Sequence, residues 1–133
     1  MSALKLHLRA GERLFLNGTV VTVEGRTVLT LLGEASFLRE AHVMQAEAAT
    51  TPLRRLYFAI QTLVLDPHAR REAVDAGARI ERLLAMARTP ELVAGLMDAR
   101  DALDGGRPFH AMRAVRALFA TEAERLEARE QAA

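Results

Sequence analysis

The chain has 133 residues and a formal net charge of +1; half of its residues are hydrophobic and none is cysteine. This composition predicts an apolar core in one compact domain or in a small lobe packed on a larger one, and it excludes disulfides, thiolate metal sites and cysteine nucleophiles. No apolar run approaches the roughly 20 residues of a membrane span, and the N-terminus lacks the basic start and apolar stretch of a secretory signal. We therefore expect a cytoplasmic protein with no membrane segment.

The first 48 residues predict a small antiparallel β-meander. Leu4, Leu6 and Leu8 alternate with polar residues, which is typical of a half-buried strand. Asn17-Gly18 lies between two apolar runs and favours a two-residue hairpin, because both positions tolerate a positive φ. The predicted strands cover residues 4–9, 13–16, 19–23 and 27–32, with a short fifth strand at 36–39.

The rest of the chain, residues 49–133, predicts a bundle of about four helices. Three dipeptides place a helix-capping residue before a proline: Thr51-Pro52, Asp66-Pro67 and Thr89-Pro90. That pairing is typical of a helix start, because the missing N–H of proline costs nothing in the first turn. Pro108 opens the fourth helix after a Gly-Gly break, and the charged residues 121–133 extend it or fray. The fold class is thus α+β, with a β-rich lobe (1–48) and a helical lobe (49–133).

The sequence shows no catalytic or metal-binding constellation. The four histidines are scattered, and none has metal-ligand spacing with another histidine or a carboxylate. Neither a G-x-S-x-G nucleophile motif nor a Gly-rich phosphate loop is present. We therefore expect no enzymatic activity, no metal and no cofactor.

Charge is distributed unevenly. Residues 52–88 carry seven arginines against four acids, whereas the β-lobe is neutral overall. Within the β-lobe, Lys5, His7 and Arg9 share one strand face, and Arg39 lies at the far end. A basic strand face can follow phosphates, and RNA is often read on sheet surfaces. The alternative is an ordinary solvated face, and the lobe's five glutamates predict a low non-specific affinity for nucleic acids.

Two stretches, residues 4–21 and 39–63, resemble the FlbT family of post-transcriptional regulators of flagellin synthesis. The matching elements, in order, are Gly11-Glu12, Asn17-Gly18, Arg39-Glu40, Met44-Gln45, Thr51-Pro52, Arg54 or Arg55, Tyr57-Phe58 and Gln61. The resemblance implies a repressor that acts at the 5′ untranslated leader of flagellin mRNA and lowers its translation or lifetime. It also implies a FlaF-type protein partner.

The first strands additionally resemble the CsrA-type RNA-binding proteins. The positions that bind RNA in that family fall here on Leu6, His7, Arg9, Phe37, Leu38, Arg39 and Glu40. In that family the two strands form one RNA surface across a strand-exchanged dimer, so the resemblance implies a homodimer through the β-lobe. Leu8, Leu38 and Ala41 replace residues that are often charged or histidine there, which implies a less charged RNA surface.

The first functional hypothesis is therefore an RNA-binding regulator. Lys5, Arg9 and Arg39 would contact phosphates or base edges, while Leu6 and Phe37 would pack on a splayed base. Arg54 and Arg55 would extend the basic surface or form an ordinary solvated helix face. Because Arg39 is expected to be exposed, Arg39→Ala is predicted to weaken RNA binding with little loss of stability.

The second hypothesis is a protein-interaction module of the flagellar pathway. It would bind a FlaF-type partner or flagellin through the helices, without direct contact to RNA. The aromatic pair in the first predicted helix serves both hypotheses: Tyr57 is predicted to lie in the core, and Phe58, which falls off the apolar stripe, is a candidate for stacking.

Overall fold

The computed structural model describes residues 3–66 and 68–132, and it confirms the α+β class. Its strands are β1 (Leu4–Leu8), β2 (Arg13–Leu16), β3 (Thr19–Thr22), β4 (Thr27–Leu31) and β5 (Phe37–Arg39). Each predicted strand is present within one residue of its predicted bounds at either end. The hairpin between β2 and β3 turns at Asn17 and Gly18, which have φ values of 50° and 81°, as the Asn-Gly motif predicts.

The five strands form two small antiparallel sheets. β1 pairs with β4, while β2 lies between β3 and β5 in the second sheet. Among the strands of the described residues, only β2 and β3 are consecutive and paired, so the connectivity differs from a meander in which every strand pairs with the next. The inward-facing leucines explain the arrangement, because Leu6 and Leu8 of β1 are buried together with Leu14 of β2. Residues of both sheets thus enclose one small apolar cluster.

Five helices follow in the described part of the chain: α1 (Pro52–Leu65), α2 (Arg70–Met86), α3 (Pro90–Asp104), α4 (Pro108–Arg116) and α5 (Phe119–Ala132). The starts at Pro52, Pro90 and Pro108 are as predicted. Two 3₁₀ turns, Glu40–His42 and Ala46–Ala48, connect β5 to α1.

The second helix begins later than the sequence predicts, at Arg70. Asp66 ends α1 instead of starting α2: its N–H donates to the Thr62 carbonyl at 2.8 Å, and its side chain accepts the His68 N–H at 3.1 Å. Asp66 therefore organises the turn between the two helices. Pro67, on which the predicted start also depended, lies outside the described residues.

The predicted fourth helix is divided into α4 and α5. The chain turns at Leu118, whose side chain is 6% exposed and whose N–H donates to the Val115 carbonyl at 2.9 Å. Leu118 packs on Gly95 of α3, where an added Cβ would lie 2.7 Å from the leucine methyl carbons. Burial of this leucine accounts for a break that no glycine or proline marks.

The β-lobe and the helices share the larger core. Leu38 of β5 belongs to the cluster that α1, α2, α3 and α4 form, and the ring centroid of Phe37 lies 5.3 Å from that of Phe109 in α4. Tyr57 is 1% exposed at the centre of this cluster, which confirms its predicted place in the core. No helix within residues 3–66 and 68–132 is both long and apolar enough to cross a bilayer.

One buried amide ties the connection before α1 to that helix. Gln61 is 2% exposed, and its side-chain oxygen accepts the Met44 N–H at 2.8 Å. Its side-chain nitrogen donates to the Met44 carbonyl at 2.9 Å. The glutamine thus satisfies both backbone groups of Met44 as a neighbouring strand would.

Candidate nucleic-acid interface

The outer face of β1 presents the basic residues that the sequence singles out. Leu6 and Leu8 point into the β-lobe core, so the alternating residues Lys5 and His7 are exposed on the opposite face, and Arg9 is exposed just beyond the strand. Lys5 lies opposite Thr30 and His7 opposite Val28 in the pairing with β4. The face is therefore an open two-stranded surface rather than a pocket.

Arg39 and Glu12 form an ion pair at the edge of this face. The Nη2 and Nε atoms of Arg39 donate to Glu12 Oε1 at 2.8 Å and 3.1 Å. Nη2 also donates to the backbone carbonyl of His7 at 2.7 Å. One guanidinium thus joins β5, the end of β1 and the turn that leads into β2. The juxtaposition of the first strand with the Arg-Glu segment is made within one chain.

Glu12 also fixes the turn that carries Arg9. Its second carboxylate oxygen accepts the backbone N–H of Arg9 at 2.9 Å, and Gly11, with a φ of 77°, donates its N–H to the Val23 carbonyl at 2.8 Å. The Arg9 N–H, followed by the Arg39 side chain, holds the pKa of Glu12 below its usual value of 4.5. The carboxylate therefore stays charged at neutral pH and orients Arg9.

These contacts correct the expectation about Arg39→Ala. The Arg39 side chain is 29% exposed and two of its nitrogens are engaged, so it is not a free surface arginine. Because its removal leaves Glu12 without its ion pair and frees the end of β1, we now expect Arg39→Ala to lower stability as well as RNA affinity. Arg39 organises the face as much as it adds charge to it.

An open cleft adjoins this network. It has a volume of about 670 Å³ and is lined by residues 9–12 and 39–42. Glu12 and Glu40 offset the positive charge of Arg9 and Arg39 in its lining. Within the part of the chain that the structure describes, the salt bridges include Arg39 but not Arg9. Arg9 is therefore the cation of this cleft that remains available to an external anion.

Several predicted RNA-binding side chains lie elsewhere. Leu6 and Leu38 are each 6% exposed and belong to the apolar cores, so their side chains are withdrawn from the surface, and RNA binding at these two positions stays a prediction. Phe37 is half-buried against Phe109, whereas Glu40 is exposed at the cleft. The β-strand alternation already indicates that Leu6 faces inward.

The two arginines of α1 belong to a different surface. The guanidinium of Arg54 lies 4.7 Å from the ring centroid of Phe119 in α5, and the exposed Arg55 lines a cleft together with Arg79 and Arg82 of α2. Arg54 therefore lies against α5 and Arg55 beside α2, and neither belongs to the network around Arg39. Phe58 is half-buried.

A second cleft, which the sequence reasoning missed, lies between the lobes. It has a volume of about 590 Å³ and is lined by residues 33–37 on one side and by residues 106–110 and Arg113 on the other. Arg107, His110 and Arg113 recur at intervals of three on one face of the start of α4, a spacing that was visible in the sequence.

Comparison with known proteins identifies the family. Residues 4–126 match the family described as flagellar protein FlbT. The chain belongs to the FlbT family. Two relatives, from Brucella abortus (strain S19) and Brucella anthropi, are each named "Probable flagellum biosynthesis repressor protein FlbT". The first is 40% identical over 124 residues, covering 92% of this chain and 82% of the relative. The second is 39% identical over 123 residues, covering 92% and 81%.

No solved structure matches the chain. The names of these relatives describe probable repressors of flagellum biosynthesis. The FlbT resemblance of the sequence is thus confirmed, and it extends beyond the first 63 residues into the helices.

The structure gives most FlbT motif residues a folding role. Glu12 holds Arg39, while Asn17 accepts the Ser36 N–H through its side chain at 3.0 Å. The Thr51 hydroxyl accepts the Arg54 N–H at 3.2 Å and caps α1. The motif residues therefore stabilise the fold, and the exposed residues Lys5, His7 and Arg9 form the candidate site.

Proposed function

We propose that this FlbT-family protein is a cytoplasmic post-transcriptional repressor of flagellin synthesis. It binds the 5′ untranslated leader of flagellin mRNA through the exposed face of β1 and the adjoining cleft, and it lowers translation or lifetime of the message. The observation that carries the proposal is the Glu12–Arg39 network, which holds Arg9 beside a solvated strand face without pairing it. The repressor names of the relatives support the same direction.

The roles within the face follow from exposure. Lys5 and Arg9 contact phosphates, and Arg9 also offers a bidentate fork to a base edge or phosphate. His7, which is exposed on the same face, contacts a base or a phosphate. Since only two or three cations take part, the slope of log affinity against log salt is about −1.5 to −2, shallower than for a polycationic binder. Specificity then depends on leader shape and base contacts.

The protein would act as a homodimer through the β-lobe. β3 and β4 each have a single paired neighbour in the described sheets, and Val20 and Val28 on them are 56% and 48% exposed. Such unpaired edges favour strand pairing with another chain. Light scattering tests this part: a dimer that Val20→Lys converts to a monomer supports it, and a monomeric wild type overturns it. We also propose that the protein has a FlaF-type protein partner, as the FlbT resemblance implies.

Fluorescence anisotropy tests the RNA proposal. A labelled flagellin leader and a scrambled RNA would be titrated with the wild type, Lys5→Gln, Arg9→Gln and, as a matched control on α2, Arg82→Gln. We expect leader-selective binding that falls about fivefold or more in each β-lobe variant and stays unchanged in the control. Equal affinity for both RNAs, or equal loss in the control, would overturn direct recognition by this face.

A further inference from the structure

The helical lobe contains a second surface that the proposed RNA site does not use. A groove of about 390 Å³ lies among the start of α1, the end of α2, the start of α3 and the middle of α5. Its floor includes Leu53, Leu92 and Leu96, which are 2%, 6% and 1% exposed. These leucines belong to the protein's own core, so the floor is fixed by the fold.

The walls of this groove are apolar and open to solvent. Met86 at the end of α2 is 65% exposed, and Leu126 on α5 is 40% exposed. Half-buried Leu83 lies in the same lining, one turn before Met86. Exposed apolar side chains grouped over an apolar floor mark an interaction surface more often than isolated ones do. Methionine adapts its shape to a partner's side chains.

Arginines surround these apolar walls. Arg88, Arg125 and Arg129 line the groove, and an adjoining cleft that shares Pro52, Leu83 and Met86 adds three more: Arg55, Arg79 and Arg82. Among the described residues, only one of these six takes part in a salt bridge, namely Arg79, which binds Asp75 at 2.8 Å. The rim is therefore strongly positive.

The carboxylate in the lining does not neutralise this rim. Glu122 of α5 accepts the Leu53 N–H at 3.0 Å and the Thr51 hydroxyl, so it caps the N-terminus of α1. A negative charge at a helix N-terminus is held by the unpaired N–H groups and the positive end of the helix dipole. Acidic side chains on a partner would therefore complement the charge of the arginines.

We propose that this groove docks an amphipathic helix of another protein, with aliphatic residues along one face and Asp or Glu along both flanks. The aliphatic face packs on the leucines and Met86, and the flanking acids meet the arginine rim. RNA fits less well, because the two linings contain no aromatic side chain on which bases could stack. The inference stands apart from the RNA site, which lies on the β-lobe.

Two synthetic peptides of about 18 residues, roughly 27 Å as helices, test the proposal on the full-length protein. Both place leucines at helical spacing; one has glutamates on its flanks, and the other has lysines. We expect the acidic peptide to bind at least tenfold more tightly than the lysine peptide, measured by anisotropy, because its charge complements the arginine rim. Met86→Ser and the double variant Arg82→Glu, Arg125→Glu should each weaken it about tenfold, whereas Arg113→Glu on α4 should not.

Four results would overturn the inference. The first is equal binding of the two peptides, and the second is wild-type binding of the acidic peptide by the groove variants. The third is loss of binding to the flagellin leader RNA in the groove variants, which would make the groove a nucleic-acid surface. The fourth is self-association, measured by light scattering, that Met86→Ser abolishes, which would assign the groove to a second copy. Arg9→Gln should leave peptide binding unchanged, so failure of the RNA proposal and of this one are separable.

Discussion

The contact between Gln61 and Met44 makes the sharpest prediction about stability. Gln61→Met keeps the length and approximate volume of the side chain but removes both hydrogen-bonding groups. The Met44 N–H and carbonyl then lose partners at 2.8 Å and 2.9 Å. An unsatisfied buried group costs about 1–3 kcal/mol, and Met44 is half-buried, so water regains part of the loss. The free energy of unfolding should fall by about 2–4 kcal/mol.

Urea unfolding followed by far-UV circular dichroism measures this loss. With an m value of about 1.5 kcal/mol/M, the midpoint should drop by about 1.3–2.7 M while m stays constant. Gln45→Met, at an exposed neighbouring position, is the matched control and should stay within about 0.5 kcal/mol of the wild type. If Gln61→Met also stayed within that range, the amide would not be the partner that satisfies Met44.

Three further predictions concern the β-lobe. Because the pKa of Glu12 is lowered in the folded state, its stabilising contribution is present above 4.5 and is lost as pH falls through the native value. Urea midpoints measured between about pH 6 and pH 3 should therefore fall further for the wild type than for Glu12→Gln, and parallel curves would contradict the network. Gly18→Val places a β-branched residue at a φ of 81° and should cost about 1–2 kcal/mol by urea unfolding. Gly33→Ala, where an added Cβ meets nothing within 4 Å, should cost less, and equal losses would count against a strained turn. Arg39→Ala should lower both the urea midpoint and leader affinity, the latter about tenfold, and an unchanged midpoint would show that the ion pair does not hold the turn.

The sequence predicts local structure here better than long-range pairing. The strands and the Asn-Gly turn depend on alternation and turn chemistry, which act over a few residues. Other contacts join segments that are distant in the sequence, and no local pattern predicts them. They are the pairing of β1 with β4 and the contacts of Arg39 and Gln61. The break at Leu118 depends likewise on Gly95 in another helix.

The candidate site, too, is predictable from the sequence only where local alternation places its residues. Alternation correctly places Lys5 and His7 outside, and it also indicates that Leu6 faces inward, against its predicted contact with RNA. Resemblance supplies positions on a family surface, but a residue's side chain contributes there only if the local fold exposes it. Arg39 shows the other limit, because its ion pair with Glu12 spans 27 residues and is invisible to periodicity.

Chemical-shift mapping would locate the RNA contacts on the protein. Titrating the flagellin leader RNA into isotope-labelled protein would show which backbone amides sense the RNA. We predict that shifts concentrate in residues 5–12 and 39–42, with smaller effects on the paired β4. Two results would contradict RNA recognition by the face around Arg9. One is shifts concentrated on α2 and α5, and the other is no shifts in the β-lobe at concentrations where the leader RNA is bound.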